Sequence, residues 1–77
     1  MTRPLYEIHD DIRKNWIKPW YGAVPYLNAM RYLNSIDDFY GYDSADSIIR
    51  YFLSNARTWK GEHARRIKAE LNQMLKG

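Results

Sequence analysis

The stretch Asp43-Ser-Ala-Asp-Ser-Ile-Ile-Arg-Tyr-Phe-Leu-Ser-Asn-Ala56 decides the fold class. Ala45, Ile48, Ile49, Phe52, Leu53 and Ala56 recur at spacings of three and four, and a rotation of ~100° per residue gathers them onto one stripe. Asp43 offers a side-chain oxygen to the orphan amides of a first turn, and Asp46 adds a negative charge at the positive end of the helix dipole. The reading is a central helix over 44–56.

Working outward, the short connection Arg57-Thr58-Trp59-Lys60 leads to Ala64, Ile67, Leu71, Met74 and Leu75, whose spacing predicts a helix over 61–76. On the other side, Pro25 suits a first helical turn because its missing N–H has no intrahelical partner there. Leu27, Met30 and Leu33 then line one side of a helix over 24–34. Leu5, Ile8, Ile12 and Trp16 mark a first helix over 5–17, stopped ahead of Pro19 and Gly22. Between them, Ser35-Ile-Asp-Asp-Phe-Tyr-Gly-Tyr42 mixes turn formers with three aromatics, and its rings are expected to fold back on the body. No β-type alternation is long enough to count as a strand. The expected fold is all-α, a compact small bundle of about four helices in one domain over 1–77. Its expected core is Leu5, Ile8, Ile12, Leu27, Met30, Leu33, Ile48, Ile49, Phe52, Leu53, Ile67, Leu71 and Met74.

A chain of 77 residues buries only ~60% of the surface its unfolded form exposes, and without cysteine no disulfide or Cys-based zinc site reinforces so thin a core. Aromatic residues, 16% of the sequence, replace those staples, since each ring buries ~150–250 Å². Neither a signal-peptide run at the start nor the ~20 consecutive apolar residues of a membrane span is visible, so a cytoplasmic protein without membrane contact is expected. The net charge is +3, unevenly spread. Asp37, Asp38, Asp43 and Asp46 lie in 37–46 without a basic residue, whereas 57–76 carries six Lys or Arg against Glu62 and Glu70. Such a field steers an anionic partner toward one end.

Catalytic and metal chemistry find little support. His9-Asp10-Asp11 project ~100° apart on a helix and do not face one ion, and the only other histidine, His63, is expected on the surface like His9. Ser35, Ser44, Ser47 and Ser54 belong to no nucleophile motif, and no Gly-rich phosphate loop occurs. The aspartates of 37–46 lack the alternate spacing and closing Glu of a calcium loop. The expectation is therefore no catalytic residue, no metal, no cofactor, no small-molecule substrate and no enzyme.

Two features point instead to binding. Arg65, Lys68, Asn72 and Lys76 fall within ~80° on a helical wheel, beside the apolar stripe, with Lys60 at the start of that helix. Arg66 points elsewhere, toward Glu62 at i, i+4. The flank reads as a phosphate-contacting strip or as an ordinary solvated face. Helices three and four also resemble a helix-turn-helix pair whose second member begins Gly61-Glu62-His63-Ala64-Arg65-Arg66. Secondly, Trp16, Trp20, Tyr21, Tyr26, Tyr40, Tyr42 and Trp59 exceed what so small a core can bury, so some are expected at the surface in the 16–26 and 39–42 loops.

The segments 21–30, 35–44, 51–62 and 64–71 together resemble short hypothetical proteins of bacteriophages, prophages and other bacterial mobile elements. The resemblance covers about residues 20–75. It implies a bacterial host-cell context and carries over no site residues. The expected function is a non-enzymatic protein that binds a macromolecular partner, a host or phage protein, and modulates a host process, with Trp20, Tyr21, Tyr40, Lys60, Arg65, Lys68 and Lys76 as candidate contacts. The alternative is a DNA-binding accessory or regulatory protein using helices three and four.

Overall fold

In the computed structural model, residues 3–77 are described; the expected single domain includes residues 1 and 2, which lie outside them. Four helices pack around one core: α1 (Leu5–Asn15), α2 (Val24–Met30), α3 (Ala45–Ser54) and α4 (Glu62–Lys76). A hairpin of two two-residue strands, β1 (Phe39–Tyr40) and β2 (Asp43–Ser44), precedes α3, pairing Phe39 with Ser44 and Tyr40 with Asp43. The chain is therefore mostly helical and not strictly all-α. Period-two patterning is invisible in strands this short; what makes the hairpin is Gly41, whose φ of +65° sits at the first central position of the turn, as a type II′ hairpin requires.

The amphipathic stripes bury where their spacing placed them, and of the expected core only Leu53 is half-buried. Ala23, Ala29, Ala45, Ala56, Ala64 and Trp59 complete the core. The small residues let the helices approach closely, and Trp59 supplies the bulk that a short chain lacks.

Boundaries moved for identifiable reasons. The second helix ends at Met30, not 34, because Arg31, Tyr32 and Leu33 tighten into i→i+3 bonds with Asn28, Ala29 and Met30 at 3.0–3.3 Å. Leu33 stays buried nonetheless. The first helix stops at Asn15, where Trp16 leaves helical geometry at φ −126°, ψ 85°. Ser44, rather than Asp43, caps α3: its Oγ accepts from the Ser47 amide at 3.1 Å, while Asp43 lies one residue too early and Asp46 sits in the first turn.

The turn at 33–38 is the junction of the molecule. The Leu33 and Asn34 carbonyls accept from the Tyr6 and Leu5 amides at 2.9 and 2.8 Å, capping the start of α1 where Pro4 offers no side-chain oxygen. Asp38 Oδ2 accepts from the Asn34 and Ser35 amides at 2.8 and 3.0 Å, and these bonds hold its carboxyl below the ordinary carboxylate range. Its carbonyl accepts from the Ala45 amide at 2.8 Å, tying this turn to the start of α3.

Candidate functional site

Ion pairs explain one face of α4. Asp11 on α1 accepts from Arg3 Nη1 at 3.0 Å and from Arg66 Nη1 at 2.9 Å, and Arg3 Nη2 reaches Glu70 at 2.7 Å. The Arg66 guanidinium first, and that of Arg3 with it, pull the Asp11 pKa down to about 2. Arg66 thus bridges two helices and contacts His63 Nδ1 at 3.0 Å instead of pairing with Glu62. This network joins α1 to α4 and consumes the charges on that side.

The opposite flank carries the basic candidates, and the structure divides them. Lys68 is half-buried: its Nζ donates to the Trp59 carbonyl at 2.6 Å and lies 6.0 Å from the centroid of the Trp59 ring. Burial, with Lys60 nearby, lowers its pKa. Lys68 is thus a brace for the 55–61 connection as well as a charge. Lys60 and Arg65 are exposed and share with it a shallow recess of about 230 Å³ next to Trp59. Lys76 is exposed at the far end of α4, eight residues beyond Lys68 and so ~12 Å along the axis. The four do not form one compact strip.

Trp59 itself is buried, stacked on Trp16 with ring centroids 5.2 Å apart and planes 7° from parallel, while Trp16 meets Phe52 edge-on at 6.2 Å. Trp20 folds back over Gly22, where an added Cβ would lie 2.0 Å from its Cζ3. A larger residue there would push the ring aside. Trp20 also borders an apolar recess of about 220 Å³ with Asn55, Arg57 and Thr58. The 16–26 loop and the 55–61 connection, far apart in sequence, therefore meet through tryptophans. Tyr21 extends from this corner, exposed and 4.8 Å from Trp20.

Tyr40 belongs to a different surface. It stacks on Tyr32 at 5.8 Å and 27°, and it lines two cavities at once. One, of about 530 Å³, is a groove between α2 and α3 whose rim is the stacked pair Tyr26–Tyr51 at 5.4 Å, with Pro25, Ile48, Ser47 and Asp43 along it. The other, of about 550 Å³, is an open recess lined by His9, Arg13, Asn28, Arg31, Tyr32 and Tyr40, none of them aliphatic. His9 is buried, contrary to the surface position expected of it. Arg13 Nε donates to His9 Nε2 at 3.4 Å and Arg13 Nη2 to Asn28 Oδ1. With Nε2 accepting, the ring proton is assigned to Nδ1, which faces Asp10 Oδ1 at 2.9 Å.

Sequence reasoning missed this second recess because Arg13 lies on α1 while Asn28 and Arg31 lie at the end of α2, and no spacing rule links the one to the others. The hairpin rings also depart from expectation. Tyr40 does fold back, but Phe39 is largely exposed and Tyr42 wholly so, at the tip of a turn that has no body beneath it.

Among the described residues no group of three His, Cys, Asp or Glu side chains converges as a metal site, and no helix is long and apolar enough to cross a membrane. Comparisons with protein-family models, curated proteins and solved structures found no match.

Proposed function

We propose that this chain is a small non-enzymatic protein that acts by binding a macromolecular partner, and that, in the phage or mobile-element setting its sequence resembles, it modulates a host process from the bacterial cytoplasm. One observation carries the reading. Of twelve aromatic rings, eight stand substantially exposed (Tyr6, Trp20, Tyr21, Tyr32, Phe39, Tyr40, Tyr42 and Tyr51). Exposed tyrosine and tryptophan with nearby arginine are the residue types that supply most binding energy at interfaces, because each covers a large area at small cost in rotamer entropy.

The test is capture from bacterial lysate by the tagged parent chain and by a variant with Tyr21, Tyr40 and Tyr42 changed to Ser, with both protein and nucleic acid in the eluate identified. These three side chains are exposed, so circular dichroism should show the variant folded. Material retained by the parent and lost by the variant supports the reading; equal capture by both refutes it.

Duplex-DNA binding through α3 and α4 is less well supported. Seven residues, 55–61, separate these helices, against the three or four of a helix-turn-helix, and Lys68 is engaged with Trp59. Salt-sensitive binding of arbitrary duplex, lost on changing Lys60 and Arg65 to Gln, would restore that alternative.

A further inference from the structure

We infer that the cavity between Arg13, Arg31, Tyr32 and Tyr40 is a binding site for a nucleoside phosphate unit, as presented by single-stranded nucleic acid. The inference rests on the partner-binding reading above and names the class of partner.

The lining excludes the commoner occupants of a surface cavity. An apolar anchor side chain from a protein partner needs aliphatic walls, and this cavity has none: it offers two guanidinium groups, one imidazole, one amide and two phenol rings. Its charge is cationic and unsatisfied. Among the described residues neither Arg13 nor Arg31 makes a salt bridge, whereas Arg3, Arg50 and Arg66 each pair with a carboxylate. The Asp10 carboxylate lies nearby but faces His9, and its side chain is mostly exposed.

The two arginines differ in a way that suits a phosphate. Arg13 is aimed by a relay in which its Nε meets His9, and its Nη2 meets Asn28, leaving Nη1 without an acceptor among the described residues. Arg31 lies 5.9 Å from the centroid of the Tyr32 ring and makes no side-chain hydrogen bond among the described residues. A planar guanidinium held by such contacts presents paired N–H donors to phosphate oxygens.

The rings supply the second half of the recognition. The stacked Tyr32 and Tyr40 stand at the cavity wall, and Tyr40 continues into the groove bordered by Tyr26 and Tyr51. A phosphate at the arginines therefore places its base beside a tyrosine, and the next along the strand toward a second tyrosine pair. Every base has a π-face, so this arrangement reads stacking in preference to sequence. Duplex DNA does not offer its bases this way.

The experiment uses the full chain and a short fluorescein-labelled oligothymidylate, its oligouridylate counterpart and a duplex control, by fluorescence anisotropy at low and moderate salt. The single strands should bind more tightly than the duplex. Arg31→Gln and Tyr32→Ala, both exposed positions, should each weaken binding by about tenfold or more while the melting curve is unchanged. Arg31→Gln should also flatten the logarithmic salt dependence by ~0.7. Lys60→Gln, on the other surface, should leave affinity unaltered. Competition by thymidine or uridine monophosphate but not by inorganic phosphate would assign a free nucleotide as an equal occupant of the same chemistry; competition only by strands would assign the polymer.

The inference is overturned if no strand binds at low salt, if Arg31→Gln and Tyr32→Ala bind like the parent, or if a phosphotyrosine peptide binds this cavity while oligonucleotides do not. In those cases capture of a protein that still depends on Tyr21, Tyr40 and Tyr42 would leave the partner-binding reading standing, so the two failures are distinguishable.

Discussion

Replacing Phe52 by Ala should remove most of the stability of the fold. Phe52 is fully buried on the central helix and is the largest such side chain in the molecule. Truncating a buried phenylalanine costs ~3–5 kcal/mol, and the cost is highest where neighbours cannot relax into the space. Here they are held. The edge of Trp16 meets the Phe52 ring at 6.2 Å, and Trp16 is itself stacked flat on Trp59, which Lys68 fastens through its carbonyl. Moving Trp16 inward would break that stack, which is worth ~0.5–1.5 kcal/mol, so the upper part of the range applies.

The whole domain has only ~4–12 kcal/mol to lose, from 0.05–0.15 kcal/mol per residue. Urea unfolding followed by far-ultraviolet circular dichroism should therefore show Phe52→Ala with its midpoint lowered by ~4–5 M or with no folded baseline, given a slope near 1 kcal/mol per molar for so small a chain. Phe52→Leu, which keeps most of the volume, should cost less than ~1.5 kcal/mol and serves as the control. A Phe52→Ala protein within ~1 kcal/mol of the parent would refute the argument that the tryptophan stack holds the cavity open.

Three further outcomes are expected. Asp11 titrates at about 2 against an ordinary value of 3.8, so its contribution is present above pH 4 and is lost as pH falls toward 2. After discounting for solvent screening this amounts to ~1–2 kcal/mol, and Asp11→Asn should lack that part of the acid-induced loss; identical slopes of stability against pH would remove the network from the account. Gly22→Ala should displace the Trp20 ring, because the new Cβ would lie 2.0 Å from Cζ3, and should red-shift tryptophan emission at a cost of only ~0.5–1 kcal/mol; an unaltered spectrum would contradict it. Asp38→Ala, which leaves the Asn34 and Ser35 amides without their acceptor, should lower the melting temperature and speed amide hydrogen exchange in 33–38, and unchanged exchange there would show that the turn holds without it.

The helices were legible because burial is periodic. Ile48, Ile49 and Phe52 on α3, or Ile67, Leu71 and Met74 on α4, repeat at the helical period, and one buried face per helix is all that such a pattern encodes. Helix ends were less legible, since they depend on which nearby group takes the orphan amides: Asp43 and Ser44 both offer a side-chain oxygen, and it is Ser44, adjacent to the first helical residue, that accepts from the Ser47 amide. Side-chain partners across elements were not legible at all. Arg66 has Glu62 one turn away, yet Asp11 on another helix, which Arg3 also contacts, takes it.

The candidate site shows the same division in sharper form. A helical wheel reports direction and nothing of what lies beneath, so it groups Lys68 with Arg65 and Lys76 as one charged flank. In three dimensions Lys68 is drawn down onto the Trp59 carbonyl and stops being a free surface charge, while Lys76 is carried away along the axis. Conversely, Arg13 and Arg31 never look like a pair in the sequence, since one belongs to a helix and the other to the turn after the next helix. They converge because α1 packs on α2, with Ile8, Ile12 and Leu27 all in the shared core, and residues of both elements line the same opening. The apolar pattern thus determines where the charges meet without specifying that they are there, and a basic surface read from one helix alone does not bring Arg13 and Arg31 together.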